Sequence, residues 1–176
     1  MMLKKTIPLC SLLVQTGHND RIWPNNLPAA WQHNKDGASF RFMVTKQTLI
    51  MDYEFYLELP SDIKTGKNVS IIIVDDYKFL TVGESRLVVP TLPEAFARAD
   101  SSKVFICVSP SLYMKVIAAK PYVAEVIQMK TDKLCKSASP LPELNREWYT
   151  DMISTAPATK SQMFDATFFR HWRLAS

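Results

Sequence analysis

Asp36 and Phe40 are two residues whose types and spacing could serve chemistry. They lie four positions apart in Asp36–Gln47, a segment whose apolar residues recur at helical spacing, so they share one face of a predicted helix. A carboxylic acid beside an aromatic ring in an apolar cleft has a raised pKa, which suits it to supply a proton. The same carboxylate could instead cap the helix, because Asp is a preferred N-cap residue. The local sequence leaves both roles open.

Other reactive side chains do not cluster. Cys10, Cys107 and Cys135 have no metal-ligand spacing and are odd in number, so we expect reduced, mostly buried thiols. The three histidines are equally scattered, which argues against a metal site. Only four glycines occur, and no two lie close together, so the sequence has no glycine-rich phosphate loop.

Composition limits the class of protein. With 176 residues, 47% of them hydrophobic and 22% charged, we expect one globular domain over residues 1–176. No apolar stretch approaches the roughly 20 residues that cross a bilayer, so we expect a cytoplasmic protein without a membrane partner. Ile7–Val14 resembles a secretory signal, but no small-residue cleavage site follows, and a first core strand is the better interpretation. The formal charge of +4 permits an anionic ligand or nucleic acid without requiring either.

Apolar runs alternate with segments of helical spacing, which predicts an α/β fold with a doubly wound, mostly parallel sheet and an antiparallel strand pair at the C-terminus. The clearest strand is Val69–Val74, which is β-branched and continuously apolar, as in strands covered on both faces. We expect it to neighbour Val104–Val108 inside the sheet, with Met163–Arg173 at or near one edge. Thr91, followed by Pro93, predicts the start of a helix. The other predicted strands are Ile7–Val14, Thr48–Met51, Arg86–Val89, Tyr122–Met129 and Trp148–Thr155, and the other predicted helices are Asp52–Leu59 and Ser111–Ala119.

Five segments, spread over about residues 6–174, resemble the dihydrofolate reductase family in the family's own order. The resemblance implies a dihydrofolate-reductase-like three-layer fold. The segments, with the family patterns that they resemble, are Ile22–Pro28 (I-G-x-x-N-x-L-P), Asp36 and Phe40 before Leu49–Met51 (acid, aromatic, V-I-M), Thr91–Ala97 (S-L-E-E-A-L-A), Val104–Tyr113 (I-F-V-I-G-G-x-x-L-Y), and Leu141–Pro142 before Trp148 with Phe164–Arg170 (F-P…W and the closing strands).

The substrate side of the family's site has matching residues here. In this family an acid on the first helix holds the pterin ring and supports its protonation while NADPH delivers a hydride. The resemblance gives Asp36 this catalytic place, if the protein is active, and gives Phe40 the place of the ring-packing aromatic. Lys67 lies near the family's arginine for the folate tail carboxylate; a lysine keeps the charge but lacks the bidentate fork.

The cofactor side of that site is altered. Val108 and Ser109 replace the paired glycines, and a Val108 side chain would project toward the nicotinamide and the pyrophosphate. The family's G-R-x-T reads here Asp52-Tyr53-Glu54-Phe55, which puts two carboxylates and two aromatics in a phosphate site. Asp75 and Asp76 end the next strand, where their charges oppose the 2′-phosphate of NADPH. The cofactor-binding residues are therefore unknown, and we expect no cofactor unless the protein is active.

Three functions stay open. The first is a dihydrofolate-reductase fold that has lost NADPH-dependent chemistry and serves as a binding or interaction module, with nucleic acid, a protein or a pterin as its partner. The second is a divergent, active dihydrofolate or pterin reductase. The third is RNA binding, suggested by the positive charge and by Trp31 and Trp172, whose plainer role is in the core or in strands. Divergent copies of this family occur in viral genomes, which is compatible with a phage protein in a host cytoplasm.

Overall fold

Strands form where β-branched and aliphatic residues run without interruption. A computed structural model describes residues 10–22, 44–59, 61–75, 86–100, 103–107, 110–117, 123–132, 134–136, 139–141, 148–156 and 166–172. The strands are β1 (Cys10–Thr16), β2 (Thr48–Asp52), β3 (Ser70–Val74), β4 (Arg86–Val89), β5 (Val104–Cys107), β6 (Val123–Thr131), β7 (Tyr149–Ala156) and β8 (Ala166–Trp172). The helices are α1 (Tyr53–Glu58), α2 (Ser61–Thr65), α3 (Leu92–Arg98) and α4 (Pro110–Ile117).

The described strands form one eight-stranded sheet in the order β4-β3-β2-β5-β1-β6-β8-β7. The first six in this order pair in parallel, whereas β8 runs antiparallel to both β6 and β7. The mostly parallel sheet and the antiparallel C-terminal pair are therefore confirmed. Strand β8 lies next to the edge, as predicted for Met163–Arg173.

One predicted neighbour relation is wrong. Strands β3 and β5 both lie inside the sheet, but β2 separates them and pairs with each, Thr48 lying opposite Ser70 on one side and Val104 on the other. All five residues of β2 are buried, so this short strand needs cover on both faces and a partner on both edges. The sequence did not indicate the central position of β2 because a strand of five residues gives only a weak signal.

Residues of the inner strands alternate between two hydrophobic cores. Leu49 and Met51 face the core that contains Phe55 of α1 and Ile63 of α2. Ile50, between them, faces the core that contains helices α3 and α4. The sheet is therefore the middle of three layers, with α1 and α2 on one face and α3 and α4 on the other. All three cysteines are free and buried, as the sequence predicts.

Side chains complete the ends of the short helices. Thr91 caps α3, and its Oγ1 accepts a hydrogen bond of 3.4 Å from the Glu94 N–H. Arg86, the first residue of β4, caps the C-terminal end of α2, where its Nη2 donates to the carbonyls of Ile63, Lys64 and Gly66. These bonds satisfy C-terminal carbonyls that a five-residue helix leaves open.

The turn after β1 is fastened to the segment after β6. The Asn19 amide pairs with the backbone of Cys135, donating to its carbonyl at 3.0 Å and accepting from its N–H at 3.2 Å. A Cβ at Gly17 would lie 2.6 Å from the Cys135 nitrogen, so only glycine allows this approach. Asp20, which has a positive φ of 54°, accepts a hydrogen bond of 2.8 Å from Lys130.

A buried polar chain crosses β1, β6, β8 and β7 at the same end of the sheet. The Asp20 carboxylate can only accept, so the Gln128 amide directs its Nε2 toward Asp20 (3.0 Å) and Thr16 (2.7 Å). Its Oε1 therefore faces Nε2 of His171 at 2.8 Å, and this nitrogen must carry the proton. His171 Nδ1 then accepts from the Thr150 hydroxyl at 2.8 Å. In its neutral form, His171 therefore carries its proton on Nε2.

We expect this histidine to make folding pH-dependent. Burial lowers the pKa of His171 below its ordinary 6.5, although the charge of Asp20 opposes the shift. Below pH 6.5 the unfolded chain takes up the proton first, so the free energy of unfolding falls as the pH drops toward the folded pKa, by at most about 1.4 kcal/mol per pH unit. Urea unfolding between pH 5 and 8 measures the slope. His171→Gln should remove this component, and His18→Gln, at an exposed turn residue, should keep it; an unchanged slope in His171→Gln would contradict the assignment.

Candidate functional site

Parallel strands β2, β3 and β5 end together, and in open α/β sheets ligands bind beside the carboxyl ends of the strands. Asp52, the last residue of β2, lies opposite Val74, the last residue of β3. Met51 lies opposite Cys107, the last residue of β5. The chemistry of this carboxyl edge therefore depends on Asp52 and its neighbours.

The Asp52 side chain caps helix α1. Its Oδ1 accepts a hydrogen bond of 2.9 Å from the Phe55 N–H, and the residue is only 6% exposed. Burial, with a smaller contribution from the charge of Asp52, raises the pKa of the Cys107 thiol well above its usual range. Cys107 is thus an inert thiol, and a buried carboxylate already lies at the start of α1.

The rest of this edge is acidic and apolar. Two further carboxylates come from this edge. Glu54 lies in the first turn of α1, after β2, and Asp75 directly follows the neighbouring strand β3. Phe55 is 2% exposed in the core shared with α1 and α2, and Tyr53 packs against that core. The two aromatics of the altered phosphate segment therefore serve packing.

Several predicted site residues lie outside the described residues, so their roles stay predictions: Asp36, Phe40, Asp76, Val108 and Ser109. Lys67 is described and exposed, and it precedes β3, so it lies at the opposite end of that strand from Asp75. The structure brings Asp52 and Asp75 to adjacent strand ends and does not bring Lys67 to them.

Lys67 lines a pocket of about 390 Å³ at the amino-terminal edge of the sheet. Lys46 and Asn68, from the connections before β2 and β3, line it too, with Arg86 at the start of β4 and Asp100 before β5. Sequence reasoning missed the pocket because its residues come from three separate connections and the start of β4, and they form no motif. Lys46 has a positive φ of 60°, which no local pattern indicated.

Trp172, one of the two aromatics behind the RNA interpretation, is half-buried in the C-terminal strand pair. Its ring stacks on Tyr149 of β7 at a centroid distance of 4.7 Å, and its indole N–H donates to Asp151 at 2.9 Å. Such cross-strand pairs stabilise antiparallel strands. Trp31 lies outside the described residues.

Two kinds of site can be checked in the described part of the chain. There, no three His, Cys, Asp or Glu side chains come together in a way that could hold a metal ion. None of the helices in the described ranges is long and apolar enough to cross a membrane.

Comparison with known proteins identifies the fold. Dihydrofolate reductase from Enterococcus faecalis, solved in complex with NADP(H) and RAB-propyl, superposes with a TM-score of 0.70 over 94% of this chain and 96% of the other. The two sequences are 14% identical. No family model matches the sequence, and no curated protein matches it either. The chain therefore has the dihydrofolate reductase fold, as the sequence motifs predicted.

Tyr113 of α4 is a further residue that sequence reasoning did not single out, and the role of its hydroxyl can be tested. The residue is 1% exposed, and among the described residues the hydroxyl has no hydrogen-bond partner. A buried hydroxyl without a partner costs about 1–3 kcal/mol, so we expect Tyr113→Phe to raise the free energy of unfolding by about 1 kcal/mol. Thermal and urea unfolding check this, with Tyr149→Phe, at an exposed residue, as the control. A lower melting temperature for Tyr113→Phe would mean that the hydroxyl has a partner.

Proposed function

We propose that the protein is a dihydrofolate-reductase-fold binding module that has lost NADPH-dependent reductase chemistry. The observation that carries this proposal is the Asp52 carboxylate, which caps α1 at the carboxyl edge of the sheet. It bears on the cofactor because the resemblance places the cofactor's phosphates at this helix start.

A bound phosphate at a helix start uses backbone N–H groups that have no partner within the helix. Here the Phe55 N–H already donates to Asp52, so the protein itself satisfies this donor. The capping Asp52 side chain is also an anion, so a phosphate bound beside it at the start of α1 would be repelled by its negative charge. Two unit charges 4 Å apart repel by about 4 kcal/mol at a dielectric near 20, which corresponds to roughly a thousandfold loss of affinity.

The neighbouring residues support the same conclusion. Glu54 and Asp75 add negative charge to the edge that would receive the cofactor. Phe55 has no hydroxyl to offer a phosphate, and its side chain lies in the core. Accommodating the cofactor would therefore require removing a helix cap and repacking a core residue. The residues present do not fit a dinucleotide phosphate at this position.

A divergent pterin reductase is the second candidate, and the Tyr113 hydroxyl favours it. This buried group has no described partner, and it lies on the helix that follows the carboxyl end of β5. A polar ligand at this edge would give the hydroxyl a use. Asp36 would then be the catalytic acid and Phe40 the ring-packing aromatic, as the resemblance implies.

We expect no saturable quenching of tryptophan fluorescence by micromolar NADPH, and no NADPH oxidation with dihydrofolate. Asp52→Asn keeps a capping side chain but removes the charge, so any weak affinity for NADPH should rise by about tenfold or more. Asp132→Asn, at an exposed carboxylate directly after β6, is the matched control and should change nothing. Saturable micromolar binding to the wild type, with hydride transfer to dihydrofolate, would overturn the proposal in favour of the reductase.

Two substitutions at Asp36 separate its possible roles. We expect the wild type to bind no folate analogue, and Asp36→Ala to lower stability by about 0.5–2 kcal/mol through loss of a helix cap, while Asp36→Asn stays close to the wild type. Calorimetric titration with methotrexate and thermal unfolding of both variants measure this. Tight methotrexate binding that Asp36→Asn abolishes at unchanged melting temperature would instead identify a retained pterin site, because Asn cannot supply the paired carboxylate bond.

A further inference from the structure

The pocket at the amino-terminal edge of the sheet has the size of a small-molecule site, and we propose that it binds a small organic phosphate of the sugar-phosphate class. Its volume of about 390 Å³ lies in the range of ligand pockets. The pocket lies at the ends of β2 and β3 opposite Asp52 and Asp75. The proposal therefore goes beyond the proposed function and holds whether or not a dinucleotide binds at the carboxyl edge.

Two lysines supply the charge. Lys46 and Lys67 are exposed, line the pocket from separate connections, and make no ion pair with the described residues. The Lys46 N–H donates to the Asn68 carbonyl at 2.6 Å, so a backbone bond ties the two connections together. The backbone positions from which the two lysines extend are thus fixed before any ligand arrives, which lowers the entropy cost of binding.

Lys46 also has an unusual backbone. Its φ of 60° lies in the left-handed region, which residues with a Cβ rarely adopt. Such residues concentrate at functional sites, where the surrounding structure holds them in place. The position would suit Gly or Asn, yet it carries a cation that lines the pocket.

The cations favour phosphate over carboxylate. Carboxylates pair best with the planar fork of arginine, and the Arg86 guanidinium in this pocket donates to backbone carbonyls of α2 and to Val69. Lysines act as compact point charges, and two of them match a phosphate that carries about −1.5 to −2 charges at neutral pH. Arg86 adds positive charge without offering its fork.

The remaining lining favours hydroxyl groups on the rest of the ligand. Asp100 and the side-chain oxygen of Gln47 are acceptors, and Gln47 Oε1 is buried with no hydrogen-bond partner among the described residues. Asn68 and Ser70 offer both donors and acceptors. Among the described lining residues, Val69 is the only large apolar one and none is aromatic, so they offer no ring to a base or a p-aminobenzoyl group. A sugar therefore fits this wall better than a nucleobase does.

Calorimetric titration with ribose 5-phosphate tests the site, together with ribose, inorganic phosphate and p-aminobenzoylglutamate at constant ionic strength. Amide NMR shifts at Gly66 and Asn68 report whether binding occurs in the pocket. Lys46→Asn removes one charge and keeps a residue that tolerates positive φ, Lys67→Gln removes the other, and Lys115→Gln, at an exposed residue of α4, is the charge-matched control. NADPH titration of the same variants keeps the two proposals separate, because these substitutions should leave its outcome unchanged.

We expect saturable ribose 5-phosphate binding that each pocket variant weakens by about fivefold or more, with Lys115→Gln within about twofold of the wild type. Ribose should bind at least about tenfold more weakly. No saturable binding, or equal binding by the lysine variants, would overturn the proposal. Equal affinity for inorganic phosphate would reject the sugar contacts, and stronger binding of p-aminobenzoylglutamate would assign the pocket to a folate tail.

Discussion

Burial of a parallel sheet on both faces is the constraint on which the rest of this structure depends. The inner strands have no polar face, so β2 contributes Leu49 and Met51 to one core and Ile50 to the other. Backbone groups inside the sheet pair with neighbouring strands, which leaves the two ends of the strands as the places where polar chemistry can emerge. Both candidate sites lie there, and their charges decide what each can bind.

At the carboxyl edge, a side chain of the protein itself caps helix α1. An open helix start needs an acceptor, and Asp52 supplies one from within the chain. The cap stabilises α1, and it places a buried carboxylate at this edge. A helix of six residues has little stability of its own, so such a cap matters to the fold as well as to binding.

The sequence predicted much of the fold because its strands carry strong local signals. Val69–Val74 and Val104–Val108 are continuous apolar runs, and both are strands in the structure within one or two residues. The place of β2 could not be read in the same way, because pairing order depends on contacts between distant segments. Of the site, the Asp52 substitution was visible against the family pattern, whereas its capping bond was not.

Features made by distant residues escaped sequence reasoning. Gln128 and His171 are 43 residues apart, and only the antiparallel pairing of β6 with β8 makes them partners. A polar residue in a buried strand was the available signal, since Gln128 interrupts the apolar run of β6. The amino-edge pocket gave no such signal, because exposed lysines in loops are common.

The two edges of the sheet differ in charge, and the difference runs opposite to the usual use of such folds. Open α/β sheets bind anionic ligands at their carboxyl edge, where helix starts meet strand ends. Around β2 and β3, the described residues of that edge include Asp52, Glu54 and Asp75, while the amino edge carries Lys46, Lys67 and Arg86 with one carboxylate, Asp100. Exposed charges attract ligands over about 8–10 Å at physiological salt, which is shorter than the roughly 16 Å length of the five-residue strands β2 and β3, so each edge acts largely on its own. Among the described residues, the carboxylates thus lie at the end of β2 and β3 where a dinucleotide phosphate would need cations, and the lysines lie at the other end.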